Sequence, residues 1–478
     1  MLALFWQQTQ EMLVRAHESV QLFSARTAFW VATGIFIAVY LAIIFLEKKL
    51  HKTKIALMGA ALMLVLHIIT QRDAFHDEAL GVDWNVIFLL ISMMIIIAIL
   101  RGTGLFEAIA IWAVRVAQGR PFALMAMLNV VTAVLSAFLD NVTTVLLIAP
   151  VTIAICRDLK INPVPFLISE ALASNIGGTA TLIGDPPNIM IASRTGLSFM
   201  DFIYNLAPVV LVIMLLYTLI LRALFARGIR VSEADRMRVM AMNPRDQIKD
   251  WVLLRKSLFV LGLVIIGFAL HGLLHYQPAT VALAGAALLL ALRRHNPHHT
   301  LAEVEWNTIF FFVGLFIVIG GIVKVGLIKL LAEQALLLTE GDLFKTSLLV
   351  LWVSAVLSAF VDNIPYVATM NPLIIEMAQS LFPDVAARVQ AGELPASALI
   401  RHPDLLPVWW SLALGACLGG NGTYIGASAN VIVVGLAERA RHKITFVEFF
   451  KYGFPIMIGT IVVSTIYLYV RYYWLRWY

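Results

Sequence analysis

Two acidic–amide pairs, Asp140-Asn141 and Asp362-Asn363, sit near the midpoints of long apolar stretches, 121–155 and 345–383. In a bilayer each carboxylate would cost about 2.5–3.5 kcal/mol on insertion scales, so it persists there only when paired, protonated or ion-bound. A turn at such a point frees backbone carbonyls. With the Asn amides and the hydroxyls of Thr143 and Thr144 these make a hard oxygen shell, suited to Na+ at Asn141 and Asn363. Asp140 and Asp362 suit two roles, as helix N-caps or as proton- or cation-coupling groups.

Two further segments concentrate polar groups in apolar surroundings. The first contains Asn175, Gly177, Gly178, Thr179, Thr181, Asp185 and Asn188, with Pro186-Pro187 between the last two. The second contains Gly419, Gly420, Asn421, Thr423, Ser428 and Asn430. Paired Gly lets a backbone leave helical geometry, and paired Pro removes two N–H donors and keeps a helix from resuming. Backbone groups released in this way are tolerated in a membrane only where they line a cavity or are buried in protein. Asp185 therefore joins Asp140 and Asp362 as a proton-coupling candidate. Glu170, inside the same apolar stretch, is a fourth, with pairing to a basic group as its alternative role.

The elements that would position these residues follow from composition. The chain has 478 residues, 61% hydrophobic and 13% charged, with a mean hydropathy of +0.88. Soluble domains carry about 25% charge, so a water-soluble enzyme, a disordered chain and a nucleic-acid binder are excluded in spite of the +6 net charge. Cys156 and Cys417 stand far apart and make neither a disulfide framework nor a thiolate metal site. An all-α polytopic membrane protein remains.

A span needs about 20 apolar residues. Suitable runs are 28–46, 55–70, 84–100, 202–221, 257–274, 280–292, 306–323 and 453–470, and two more, 165–193 and 405–435, read as helices broken in the middle. Stretches 121–155 and 345–383 read as re-entrant hairpins. Residues 1–26 read as an interfacial amphipathic segment rather than a signal peptide, and 105–118 and 327–338 as interfacial helices. Basic residues after the first span and in 222–256 place those loops in the cytoplasm and both termini outside. His295, His298 and His299 then fall in a solvated loop.

The chain repeats itself. Residues 135–141 recur at 357–363, and Trp84-Asn85 at Trp306-Asn307, all 222 positions apart. Gly177, Gly178, Thr181, Gly184 and Asn188 recur 242 positions later, and Phe199, Phe202 and Pro208 recur 247 positions later. Pro365 takes the place of Thr143 in the second copy. Each copy holds five spans, an odd number, so the second inserts upside down. Two inverted repeats result, 27–221 and 257–470, each with one hairpin, joined by the basic cytoplasmic linker 222–256 and followed by a tail, 471–478. Inverted repeats with interrupted helices are the mark of alternating-access carriers, whose site lies near the bilayer midplane.

On residues 135–150, 175–188, 361–372 and 415–430, the chain resembles the ion-transporter superfamily. Within it the resemblance is to the arsenite permease and sodium–proton antiporter branch, and most of all to the melanosomal P protein family. The pattern is more distantly similar to sodium-coupled dicarboxylate and citrate symporters, which hold Na+ and substrate at Ser-Asn-Thr hairpin tips. Asn141 and Asn363 match the central Asn, whereas Asp140 and Asp362 stand in place of Ser, and Asp185 in place of a Thr. The resemblance implies a homodimer with scaffold and transport domains and an elevator motion, and the added carboxylates favour cation or proton handling.

The expected function is secondary active transport of a small ion or organic anion, driven by Na+ or H+, in a bacterial inner membrane. No other cofactor and no nucleic acid are expected as partners. Arsenite or antimonite efflux and a channel-like anion permease are the alternatives. An enzyme is not expected: neither a Walker A sequence nor a His-Glu-x-x-His motif occurs.

Overall fold

The computed structural model describes residues 23–46, 49–225, 231–293 and 296–477. Most of the segment 1–26, His295 and Tyr478 therefore lie outside the described residues. Among the described residues all regular structure is helical. The first repeat contributes α1 (Ala25–Leu46), α2 (Lys52–Val65), α3 (Trp84–Arg101), α4 (Leu105–Val116), α5 (Pro121–Phe138), α6 (Asn141–Asp158), α7 (Val164–Gly178), α8 (Pro186–Thr195) and α9 (Phe199–Phe225). The second follows the same order: α10 (Trp251–Leu274), α11 (Pro278–Leu292), α12 (Trp306–Lys324), α13 (Leu327–Thr339), α14 (Leu343–Phe360), α15 (Asn363–Leu381), α16 (Leu406–Gly419), α17 (Ser428–Arg439) and α18 (Phe446–Leu468). Among the described residues five short α-helices and two 3-10 turns lie in the connections.

Nine helices among the described residues are long and apolar enough to cross a membrane, and three of them, α5, α6 and α14, are hairpin arms. The chain is thus an all-helical, multi-pass membrane protein of two inverted repeats. Proline placement follows the physics of the helix. Pro121, Pro186 and Pro278 open helices, where a missing N–H costs nothing. Pro150 and Pro372 stand at mirrored positions inside α6 and α15, and Pro208 and Pro455 inside α9 and α18. The expected span 55–70 is shorter than its apolar run: α2 stops at Val65, His67 has φ of 55°, and Thr70 caps the next short helix in a capping box with Asp73.

Two compact units emerge. One comprises residues up to Ile87 together with Glu305–Gln334. In it α12 lies directly on α2, because a Cβ on Gly314 would come within 2.7 Å of the Ala56 backbone. Thr53 Oγ1 donates to the Asn307 carbonyl at 2.7 Å, and Lys324 pairs with Asp73 at 2.6 Å. The other unit comprises Phe88–Val304 and Ala335–Tyr478. There α10 and α11 pack together, and Gly285 of α11 faces Ile96 of α3.

Within the larger unit each hairpin packs along its own repeat's broken helix, α5 on α7 and α14 on α16. The duplication reappears bond for bond. Ser136 Oγ donates to the Ser174 carbonyl at 2.7 Å, and Ser358 Oγ to the Ala416 carbonyl at 2.6 Å. Thr181 Oγ1 donates to the Ala137 carbonyl, and Thr423 Oγ1 to that of Ala359. Both pairs obey the offsets read from the sequence.

Candidate functional site

The broken helices stop and restart where polar groups cluster. Helix α7 ends at Gly178, residues 179–185 leave helical geometry, and α8 begins at Pro186. Helix α16 ends at Gly419, a single 3-10 turn spans Gly420–Gly422, and α17 begins at Ser428. The glycines act differently from the sequence expectation. Gly177, Gly178 and Gly419 are still helical and have no positive φ. Their role is close approach: a Cβ on Gly177 would meet the Ala133 carbonyl oxygen at 2.2 Å, and one on Gly419 the Ala355 oxygen at 2.6 Å. Gly184 and Gly426 are pressed in the same way against Ser136 and Ser358. The first break follows Gly177-Gly178, whereas Gly420 already belongs to the 3-10 turn of the second, and in both the missing side chains let the hairpin lie on the break.

In each break one Asn replaces the lost helical partners. Asn188 Nδ2 donates to the carbonyls of Thr179 at 3.2 Å and Thr181 at 2.8 Å. Asn430 Nδ2 donates to those of Gly420 at 2.8 Å and Thr423 at 3.0 Å. Buried carbonyls without such donors would each cost a lost hydrogen bond, so these two amides stabilise the non-helical backbone.

The two repeats meet at Asn175. Its Oδ1 accepts from Asn141 Nδ2 at 3.0 Å, and its Nδ2 donates to Asn421 Oδ1 at 2.9 Å and Asn430 Oδ1 at 3.0 Å. Asn421 Nδ2 in turn reaches the Leu172 carbonyl at 3.4 Å. All four amides are buried. Replacing Asn175 with Ala orphans three of these groups at about 1–3 kcal/mol each. Asn175→Ala should therefore lower the melting temperature of the purified protein by several degrees, read by thermal unfolding. An unchanged melting temperature would show that the junction contributes nothing to stability.

The carboxylates lie beside this junction. Asp140 caps α6, accepting from Thr143 N at 2.8 Å and Thr143 Oγ1 at 2.5 Å, while Thr144 Oγ1 donates to the Asp140 carbonyl at 2.9 Å. Asp362 caps α15 through Ile364 N at 3.1 Å and accepts from Ser428 Oγ at 2.8 Å. Pro365, standing where the first tip has Thr143, has no hydroxyl to offer, and Ser428 of the second break supplies one instead. Asp185, at the start of α8, accepts from Asn363 Nδ2 at 3.2 and 3.3 Å, which ties the break of the first repeat to the tip of the second. Asp140 and Asp362 both lie within electrostatic range of Asp185. No Lys, Arg or His hydrogen-bonds to Asp140 or Asp185 among the described residues, and Asp185 is fully buried.

The structure thus gathers the sequence-selected residues of both tips and both breaks into one connected polar cluster. Glu170 is the exception: it bonds to Thr152, apart from the tips. Among the described residues no group of three or more His, Cys, Asp or Glu is arranged to hold a metal ion. Cys417, which the sequence marks only as belonging to no disulfide or metal site, has its Sγ 3.6 Å from Asn188 Oδ1. It occupies the mirrored position of Asn175, and its bond to Asn188 mirrors that from Asn175 to Asn430. The offset of 242 between 175 and 417 was the signal for it. Ser136, Ser174 and Ser358, which fasten hairpin to break, were likewise missed, although Ser136 and Ser358 occur in the repeated tip motif.

The chain is similar to known proteins along most of its length. An uncharacterized transporter of Mycobacterium tuberculosis, Rv2684, is 46% identical over 93% of this chain and 98% of its own length. A 46 kDa membrane protein of Mycobacterium leprae is 43% identical over 92% and 98%. The human P protein is 35% identical over 98% of this chain, which spans 63% of that longer protein. The crystal structure of the Alcanivorax borkumensis YdaH transporter shares the fold, with a TM-score of 0.56 at 12% identity over 94% of this chain and 99% of that one. The citrate transporter (CitMHS) sequence profile matches residues 40–415. The chain belongs to the citrate transporter family and is a multi-pass membrane transporter, not an enzyme.

Proposed function

We propose that the protein is a secondary active transporter that carries a small organic anion of the citrate class, coupled to a proton gradient. The observation that carries this reading is the contact of Asn363 with Asp185, which joins the tip of one repeat to the break of the other beside Asp140 and Asp362. Three carboxylates gathered within electrostatic range of one another repel a bare polycarboxylate. Binding such an anion therefore requires the site to take up cations with it, and that requirement is coupling. Protons fit the donor set better than Na+. Thr143 spends its hydroxyl on Asp140, and Asn363 aims its N–H group, not its oxygen, at Asp185. In this reading Asp140, Asp185 and Asp362 hold the coupling protons, the amide junction forms the floor of the pocket, and the breaks supply N–H and carbonyl groups to the substrate. Movement is of the elevator type, within a homodimer, with hairpins and broken helices travelling as one body because their glycines leave no slack between them.

The reading is tested with purified protein in liposomes, supplied with labelled citrate, malate or arsenite under an imposed pH or Na+ gradient. Accumulation of citrate or malate that collapses when the pH gradient is dissipated is the expected result. Accumulation that follows the Na+ gradient alone would replace the coupling ion, and accumulation of arsenite only would overturn the substrate class.

A further inference from the structure

Besides the tips and breaks, the two repeats differ in polarity where α7 packs against α5 and α6. In the first repeat Glu170 of α7 is buried, 1% exposed, and its Oε1 accepts from Thr152 Oγ1 of α6 at 2.6 Å. Next to it Ser169 Oγ donates to Asn129 Oδ1 of α5 at 3.1 Å, and the Ser169 carbonyl accepts from Tyr217 of α9 at 2.7 Å. Three buried polar atoms here have no partner among the described residues: Glu170 Oε2, Asn129 Nδ2 and Thr132 Oγ1. At the mirrored positions the second repeat has Leu412 for Glu170, Ile374 for Thr152 and Leu351 for Asn129, all fully buried. The same helices therefore carry three aliphatic side chains where the first repeat has a carboxyl, a hydroxyl and an amide; the second repeat also leaves Trp410 Nε1 and Ser411 Oγ unpartnered among the described residues, but it buries no carboxyl there. Polar groups buried without full satisfaction destabilise a fold, so packing alone gives no reason to keep them.

From this asymmetry we infer that Glu170, held by Thr152, is a second proton-carrying site confined to the first repeat. It lies five residues before Asn175 on the same helix and acts in addition to the tip carboxylates. The inference rests on the proton-coupled reading given above. The chemistry is a single exchange. The carboxylate takes a proton from water on one side of the membrane, forming an O–H bond, and returns it to water on the other, with no other bond changed. The surroundings offer no counter-charge to a carboxylate. Helices α5 and α16 contain no charged residue, and Glu438 and Arg439 of α17 lie in its last turn. The titratable groups facing Glu170 are the Cys156 thiol of α6 and the Tyr217 phenol of α9. An ionised carboxylate would be left there with one hydrogen bond and no counter-charge, a state membranes penalise heavily.

Two variants test the inference. Glu170→Gln keeps the shape and the bond to Thr152. The combination Asn129→Leu, Thr152→Ile and Glu170→Leu copies the second repeat's own packing into the first, so it is expected to fold. Infrared difference spectra of purified protein in bilayers, wild type minus Glu170→Gln, should show the carbonyl stretch of a protonated carboxyl at neutral pH. That band should give way to the carboxylate band as the pH is raised to about 10. In liposomes containing a pH-sensitive dye, citrate-driven proton movement should fall by roughly tenfold or more in both variants. A difference spectrum with no protonated carboxyl band, or with a band that never titrates, would overturn the inference. So would proton movement at the wild-type rate in either variant. If the wild type moves no protons with citrate, the transport reading fails by itself, and the infrared titration still decides whether Glu170 exchanges a proton.

Discussion

Asp362→Asn is expected to reduce gradient-driven uptake by roughly tenfold or more while leaving the purified protein folded. Asp362 has two jobs that substitution with Asn separates. As the N-cap of α15 it accepts from Ile364 N, and Asn caps a helix about as well as Asp. The amide oxygen can also accept from Ser428 Oγ, so the bond between tip and second break survives. What Asn cannot do is bind and release a proton. The loss should therefore appear in accumulation against a gradient, with the size-exclusion profile and melting temperature close to wild type. The measurement is labelled-citrate accumulation in liposomes with and without a pH gradient, beside thermal unfolding of the same preparation. Accumulation at the wild-type level would remove Asp362 from the coupling machinery and leave it as a cap. Ser428→Ala is the companion variant, because it removes the donor and keeps the charge; a smaller effect than that of Asp362→Asn places the role on the carboxyl group.

The largest structural effect should come from the smallest change, Gly177→Ala. The added methyl group would lie 2.2 Å from the Ala133 carbonyl oxygen and 2.4 Å from its Cα. These are backbone atoms of the neighbouring hairpin arm, so no rotamer can relieve the clash. Overpacking a core costs about 1–3 kcal/mol when side chains yield, and more when a helix axis has to shift. Such a shift would also strain the neighbouring bonds from Ser136 to the Ser174 carbonyl and from Thr181 to the Ala137 carbonyl. The expected result is a fall in the yield of monodisperse protein, with transport lost in proportion. Gly262→Ala in α10 is the control, since nothing lies within 4 Å of a Cβ there, and Ala in a helix interior is favoured over Gly by about 1 kcal/mol. Equal behaviour of the two variants would show that hairpin and broken helix are not in direct backbone contact.

Much of this architecture was legible before any coordinates. Apolar runs set the spans because a bilayer leaves the backbone no partner but itself, and the offset of 222 between Asp140 and Asp362 announced the duplication. The breaks at 179–185 and after Gly419 were visible as Gly, Pro and Asn crowded where a helix should have continued. The reason for the glycines was not visible, because sequence shows a missing side chain but not the neighbour that needs the space. Cys417 was passed over for a similar reason: a lone thiol has no pattern, and its meaning came from standing where Asn175 stands in the other copy, against Asn188.

Local chemistry along the chain, then, determined which residues enter the membrane, that they do so twice, and which carboxylates must find company there. Which residues keep that company was decided only by tertiary structure. The contact of Asn363 with Asp185 joins residues 178 positions apart, and that of Asn175 with Asn430 joins residues 255 apart. No helical or hairpin periodicity relates such pairs. They form because burying both repeats' breaks together is the arrangement that satisfies these amide groups away from water.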